Sequence, residues 1–468
     1  MQSALAIDTT VPAPTRGWGA ELRAIFALAW PLILAQLAQN ALLTTDVIYM
    51  GWLGPQYLAA GMLSHAFFFA LQLMGIGIVG VVAPLVSQAL GARDFKSVRR
   101  IVRAGFWVSI LLAAIMTPII WHVRPILLSL GQDPESARLA EQFLHYAVWL
   151  LTPAFMIIVV RSFLAAHGAT MVILGITVAG VIVNAVVNYG IMFGNWGLPR
   201  LELMGAGITT TLVNIAMLAM MIVYVMWHRR FRRYHIFARF LRLDLGRLRQ
   251  MFAIGGPIGL MMLAEVGLFS VAAFLMGWLG TNEVAAHAIA LQCASMAFMV
   301  PLGLSQATTV RVGLAYGSGS AEGVRKAGWV ALGLTVAFMS LTCTLFLAFP
   351  HTIVRLFLDP HVTANEAALG LAASYLVIAG VFQLADGAQV AAAGALRGLS
   401  DTFWPLIIAL VGYWGIGMPI AWFTAFVLDW RGVGIWLGLA GGLTAVAIVL
   451  VARFAMRERL GLLRGMTA

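Results

Sequence analysis

The chain has 468 residues, of which 62% are hydrophobic and only 10% charged, with a mean hydropathy of +0.94. Soluble domains run about 45–50% apolar and about 25% charged, so a soluble globule is excluded, as is a disordered chain. The net charge of +11 comes from 29 basic and 18 acidic residues; the arginines gather in short segments between apolar runs, which points to orientation in a membrane and away from nucleic acid.

Residues 1–21 hold Asp8, Pro12, Pro14 and Arg16 and no apolar h-region. They are expected to form a cytoplasmic tail, not a cleaved signal peptide. A span needs about 20 apolar residues, and with a short loop each unit takes roughly 35–40 residues. Twelve apolar runs follow, at roughly 25–50, 57–89, 101–121, 142–165, 171–194, 205–227, 251–277, 284–314, 327–349, 369–395, 403–427 and 432–455. The second and eighth are long for one span and would have to tilt or project. No strand-like alternation runs through the chain, so the expected class is an all-α membrane protein of twelve transmembrane helices. Cys293 and Cys343 both fall inside apolar runs and give neither a disulfide framework nor metal-ligand spacing.

With the N-terminus inside, 24 Lys and Arg residues fall on the cytoplasmic side. Only Arg124, Arg138, Arg200, Arg355 and Arg431 fall outside. That bias places both termini in the cytoplasm. The chain also repeats itself. Met50-Gly51-Trp52-Leu53-Gly54 recurs as Met276-Gly277-Trp278-Leu279-Gly280, an offset of 226 that also maps Pro31 to Pro257, Gly91 to Gly317 and Arg99 to Arg325. The expected organisation is an N-lobe (22–227, spans 1–6), a basic cytoplasmic linker (228–250), a C-lobe (251–455, spans 7–12) and a C-terminal tail (456–468). Six spans per copy is even, so the lobes would be related by a pseudo-two-fold along the membrane normal. Transporters of this design place substrate between the halves, though channels also carry repeats.

An acid in the hydrocarbon core costs at least about 2.5–3.5 kcal/mol and is a functional candidate by default. Three lie well inside the runs: Asp46, Glu265 and Asp386. At the repeat offset Asp46 faces Ala272 and Glu265 faces Gln39, so the duplicated scaffold needs an acid at neither place. The plainer reading is a carboxylate tied up by neighbouring donors to hold helices together. Asn184 and Asn188 lie four apart on one face of span 5. They are either interhelical glue or neutral oxygen donors beside Asp46. Thr210, in the run Gly205–Thr211, would add an oxygen unless it bonds its own backbone. One carboxylate with amide and hydroxyl oxygens suits a hard monovalent cation; a carboxylate alone also suits a proton. His65 and His287 read as packing residues sooner than as relays. Arg161, Arg311 and Arg397 near span ends read as topology anchors that snorkel. Abundant Met and Phe would give any central cavity an adaptable apolar wall. No phosphate-binding loop followed by Lys-Ser/Thr and no histidine pair at metal-ligand spacing appears, so no enzyme and no ATP-driven pump is expected.

Several motifs together resemble the multidrug and toxic compound extrusion (MATE) exporters. They are Pro31 with Thr45-Asp46-Val47-Ile48-Tyr49-Met50-Gly51, Pro257 leading to Glu265, Phe382-Gln383-Leu384-Ala385-Asp386-Gly387, and Gly394-Ala395-Leu396-Arg397-Gly398 with Asp401-Thr402. The likeness runs from about residue 22 to 455, and acids at both Glu265 and Asp386 resemble the NorM-type branch. The resemblance implies a C-lobe cation site at Glu265 and Asp386. It implies an N-lobe site at Asp46, Asn184 and Asn188 with Thr210. Na+ could be held at either. Some sodium-coupled members carry a tyrosine where this chain has Phe382, which leaves H+ and Na+ both open as the coupling ion, with no other cofactor. The implied activity is antiport by alternating access, exporting amphipathic organic cations across the cell inner membrane, by a monomer in membrane lipid. The alternative is a lipid-linked oligosaccharide flippase of the related two-lobed superfamily. That would need cationic groups in the cavity, whereas the span interiors hold acids. A channel would conduct without counter-ion exchange.

Overall fold

The structure, a computed structural model, describes residues 17–238, 240, 243–357 and 366–466. Most of the expected N-terminal tail, with Arg16, lies outside the described residues, as do Arg239 and Arg242 of the linker and the last two residues. Among the described residues twelve helices are long and apolar enough to span a membrane. They are α1 Trp18–Leu53, α2 Pro55–Gly91, α3 Phe95–Trp121, α4 Pro134–Ala166, α5 Thr170–Phe193, α6 Glu202–Trp227, α7 Leu245–Leu279, α8 Thr281–Gly317, α9 Ala321–Ala348, α10 Glu366–Gly398, α11 Phe403–Val427 and α12 Arg431–Ala455.

Each helix contains one apolar run, and several start a turn or two before it. The extra turns are polar and are fixed by caps, not by hydropathy. Asp94 accepts from Ser97 N at 3.0 Å to start α3, so the basic stretch from Lys96 to Arg103 is helical. Asp133 accepts from Ser136 N at 2.9 Å, with Pro134 in the first turn, so α4 begins ahead of its apolar run. The two long runs resolve differently. The second breaks at Val81 into segments of 26 and 10 residues, whereas the eighth is one helix of 37 residues with Pro301 inside. Two π-helical stretches, Val411–Gly417 and Phe423–Val427, interrupt α11. Gly54 and Gly280, at φ 137° and 138°, make the turns into α2 and α8, a conformation that requires glycine. Exposed Ile115, Ile182, Val186, Phe274 and Ile448 give the helices an apolar outer surface suited to lipid. Trp52 and Trp278, 64% and 74% exposed at repeat-equivalent helix ends, suit the membrane interface.

The chain divides into two compact units, but the divisions fall inside α1 and α7. Unit 1 contains residues 34–259; unit 2 contains residues 17–33 and 260–466. Both switches come two residues after an intrahelical proline, Pro31 and Pro257. Within unit 1 the first half of α7 crosses α2 so closely that a Cβ on Gly77 would land on the backbone of Gly259. Within unit 2 the first half of α1 crosses α8, where a Cβ on Gly303 would meet the backbone of Ile33. Gly303 is the repeat partner of Gly77, so both crossings use the same small-residue contact. Polar anchors sit at equivalent places too. Glu21 on α1 accepts from Arg311 on α8 at 2.7 and 2.5 Å, and Arg247 on α7 donates to Ser97 Oγ on α3 at 3.1 Å.

The linker is not a free tether. Phe231 is buried, Phe237 stacks on Phe106 at 5.7 Å, and Trp107 Nε1 donates to Phe240 O at 2.9 Å. His167, in the α4–α5 turn, gives its Nδ1 proton to Phe163 O at 2.7 Å and takes the Tyr234 hydroxyl proton on Nε2 at 2.7 Å. Burial holds His167 neutral, pushing its pKa down to about 4, and pushes Tyr234 up to about 12.

Candidate functional site

In unit 1 the site is built on α1, α5 and α6. Asp46 is 2% exposed. Asn184 and Asn188, one helical turn apart on α5, both donate Nδ2 to the same carboxylate oxygen, at 3.0 and 2.7 Å. Thr210 of α6 lies within hydrogen-bonding reach of the same carboxylate. The Oδ1 atoms of both asparagines have no partner. Rotating an amide by half a turn exchanges its N–H for its oxygen, so this pair can offer hydrogens to a bare carboxylate or oxygens to a cation bound beside it. Tyr49 fixes the register of α1 on α5: its hydroxyl donates to Ala185 O at 3.3 Å and its ring lies 5.9 Å from Tyr189.

In unit 2, Glu265 of α7 and Asp386 of α10 interact electrostatically, and Arg397 of α10 interacts with Glu265. Asp386 is buried, with Oδ1 unpartnered. The Tyr413 hydroxyl, carried by the π-helical part of α11, interacts electrostatically with both carboxylates and has no hydrogen-bond partner among the described residues. Phe382 contributes no polar atom. Its ring packs on Phe269 at 6.1 Å and Trp436 at 5.8 Å. Gln383 Oε1 is occupied by Thr342 Oγ1 at 2.9 Å. Thus the six expected site residues fall into two groups, one per unit: Asp46, Asn184, Asn188 and Thr210, then Glu265 and Asp386.

Two readings from sequence need correction. Arg311 does not snorkel: it is 3% exposed and forked onto Glu21. Arg161 reaches onto α1, donating to Gln39 Oε1 at 3.0 Å and Gln36 Oε1 at 3.3 Å. A snorkelling side chain is free to reach water; these two are held by partners on a neighbouring helix. Arg397 interacts electrostatically with Glu265. Two further acids proved buried, Glu21 and Glu283. Glu283 accepts from the Tyr375 hydroxyl and pairs with Arg431 at 3.1 Å. Sequence reasoning passed over both because they sit at the ends of apolar runs, and missed Tyr413 because a tyrosine adds nothing unusual to an apolar run. His65 and His287 pack on aromatic rings, Phe143 at 5.5 Å and Trp436 at 5.4 Å, with Nε2 of His65 and both ring nitrogens of His287 unpartnered.

Residues 31–190 and 257–423 match the MatE family model, and the matched segments begin at Pro31 and Pro257. The chain belongs to the MATE family. It is 43% identical over 460 residues to a probable multidrug resistance protein NorM of Mesorhizobium japonicum, covering 97% of this chain and 98% of that one. It is 44% identical over 447 residues to the protein of the same name in Rhizobium meliloti, with 96% of each covered. The NorM-type likeness therefore holds along nearly the whole MATE chain. Two solved structures share the fold. The eukaryotic MATE transporter AtDTX14 has a TM-score of 0.84 at 18% identity, covering 96% of this chain and 98% of that one. The Vibrio cholerae MATE transporter VcmN in its bent form has 0.82 at 19%, covering 95% and 99%. This MATE protein is a multi-pass membrane protein, and its relatives are named as transporters, not enzymes.

Proposed function

We propose that this protein is a multidrug efflux transporter that exports amphipathic organic cations across the cell inner membrane in exchange for H+ or Na+. The relatives' names support efflux of drugs. The observation that carries the coupling is the pair of interior acid clusters, Asp46 with Asn184 and Asn188, and Glu265 with Asp386. A buried carboxylate in a membrane is tolerable when it holds a cation or a proton. Substrate cation and coupling ion then compete for that charge, and exchange follows if each favours a different conformation. The distribution of arginines supports both termini in the cytoplasm. One complete copy of the site residues in one chain supports action as a monomer surrounded by lipid.

Flippase activity is not favoured. A pyrophosphate needs several unpaired cations, and in unit 2 the interior Arg397 is already matched by Glu265. The test is efflux of a fluorescent organic cation from proteoliposomes. An opposing proton or sodium gradient should drive it, and alanine or amide replacement of all three of Asp46, Glu265 and Asp386 should abolish it. Undiminished gradient-driven efflux in the triple variant would sink the proposal.

A further inference from the structure

The two copies of the repeat carry opposite charge at one position of the same turn. In unit 2 the start of α9 is capped by Ser320, whose hydroxyl accepts from Gly323 N at 3.0 Å. Glu322, in that first turn, pairs with Lys326 at 2.7 Å and reaches Arg325 at 3.9 Å. In unit 1 the equivalent start of α3 is capped in the same way by Asp94. The offset of 226 maps Arg325 to Arg99 and Lys326 to Arg100, but it maps Glu322 to Lys96. The acid that neutralises the basic pair in one copy is a third cation in the other.

The linker adds cations to this same end of unit 1. The rings of Phe95 and Tyr234 meet edge-on at 5.9 Å and Arg247 donates to Ser97 Oγ, so the linker lies against the start of α3. Phe231 is buried, while Arg229, Arg232 and Arg233 around it are exposed, as are Lys96 and Arg100. Among the described residues none of these five, nor Arg99, forms an ion pair with a carboxylate. The acids of the two segments, Asp94 and Asp244, are occupied as helix caps, accepting from Ser97 N at 3.0 Å and Arg247 N at 3.2 Å. Orientation in the membrane needs cations near a span end. It does not need them packed together with their neutralising acid replaced, an arrangement that repels itself unless an anion answers it. Position names that anion. Arg229 lies two residues beyond Trp227, the last residue of α6, which is 82% exposed and suits the membrane interface. At that level the fixed negative charges are lipid phosphodiesters. We propose that Lys96, Arg99 and Arg100 of α3, with Arg229, Arg232 and Arg233 of the linker, form a binding surface for the phosphate of an anionic phospholipid. The surface is independent of the transported substrate and of the coupling ion.

The experiment titrates the purified full chain, in a neutral detergent, with a fluorescent phosphatidylglycerol. Unlabelled phosphatidylglycerol, phosphatidylcholine and inorganic phosphate compete in separate arms. Phosphatidylglycerol should compete about tenfold better than phosphatidylcholine or more, and inorganic phosphate should not displace the probe. Lys96→Glu restores the charge pattern of unit 2 and should weaken phosphatidylglycerol by about tenfold or more, at about fivefold per unit of charge. Arg232→Gln with Arg233→Gln, both exposed, should do the same. Arg459→Gln with Arg464→Gln removes equal charge from the C-terminal tail and should change the affinity by less than about twofold. Phosphatidylcholine affinity, unchanged in every variant, reports an intact fold. Unchanged phosphatidylglycerol affinity in both test variants would overturn the surface. Equal loss in the tail variant would do so too, by reducing the effect to net charge. Displacement by inorganic phosphate would overturn the assignment to lipid.

Discussion

Asp46 takes two amide N–H groups on one oxygen, a geometry that holds the carboxylate in one place. Each charge-assisted bond is worth about 1.5–3 kcal/mol. Asn184→Ala or Asn188→Ala should therefore weaken binding of an organic cation by about tenfold or more, measured by dye titration of purified protein. Asp46→Asn should weaken it further, because the charge itself is gone. Glu21 and Arg311 make the other strong prediction at this scale. Both are buried, so Glu21→Ala should destabilise the protein by about 3–5 kcal/mol in denaturation in detergent. Glu21→Met with Arg311→Met should recover most of that, since no charge is then stranded. The interior acids Asp46, Glu265 and Asp386 were legible in the sequence because an acid within an apolar run stands out by cost alone. Tyr413 and Arg161 were not. What they touch depends on which helices meet, and no spacing along one helix reveals that.

Helix existence was equally legible, since about 20 apolar residues can do little else in lipid. The polar starts of α3 and α4 were not, because caps and not hydropathy extend them. Nor was the exchange of the first halves of α1 and α7 between units, since an apolar face packs equally well on either neighbour. Its determinants are the glycines that admit backbone contact. Gly77→Val should force α2 and α7 apart and lower stability by about 1–3 kcal/mol or more, whereas Gly80→Ala meets nothing within 4 Å and should be tolerated. The docked linker makes a prediction about pH. His167 has its folded pKa lowered to about 4, below the ordinary value near 6.5. Its contribution is therefore fully present above about pH 6.5 and is lost as pH falls through the window down to about 4. Proteolysis of the 228–243 segment should rise across that window in the unmodified protein, and His167→Asn should remove the pH dependence.

At the scale of the whole molecule, one duplicated unit has been specialised twice. The scaffold features recur at the repeat offset: Pro31 and Pro257, Gly54 and Gly280, Gly77 and Gly303, Trp52 and Trp278. The interior acids do not recur. Asp46 faces alanine, Glu265 faces glutamine, and the position of Glu21 holds Arg247. Fold was thus inherited by both halves, while chemistry was assigned to each separately, which is why the repeat could be read from sequence and the division of labour required the packing. The proposed antiport makes exchange of substrate for ion obligatory. The most direct measurement imposes a gradient of an organic cation across proteoliposomes with no ion gradient, and follows lumenal pH and sodium together. Movement of one of these ions against the substrate flow, absent in the Asp46→Asn, Glu265→Gln and Asp386→Asn triple variant, is the predicted result. Substrate movement with neither ion moving would contradict it.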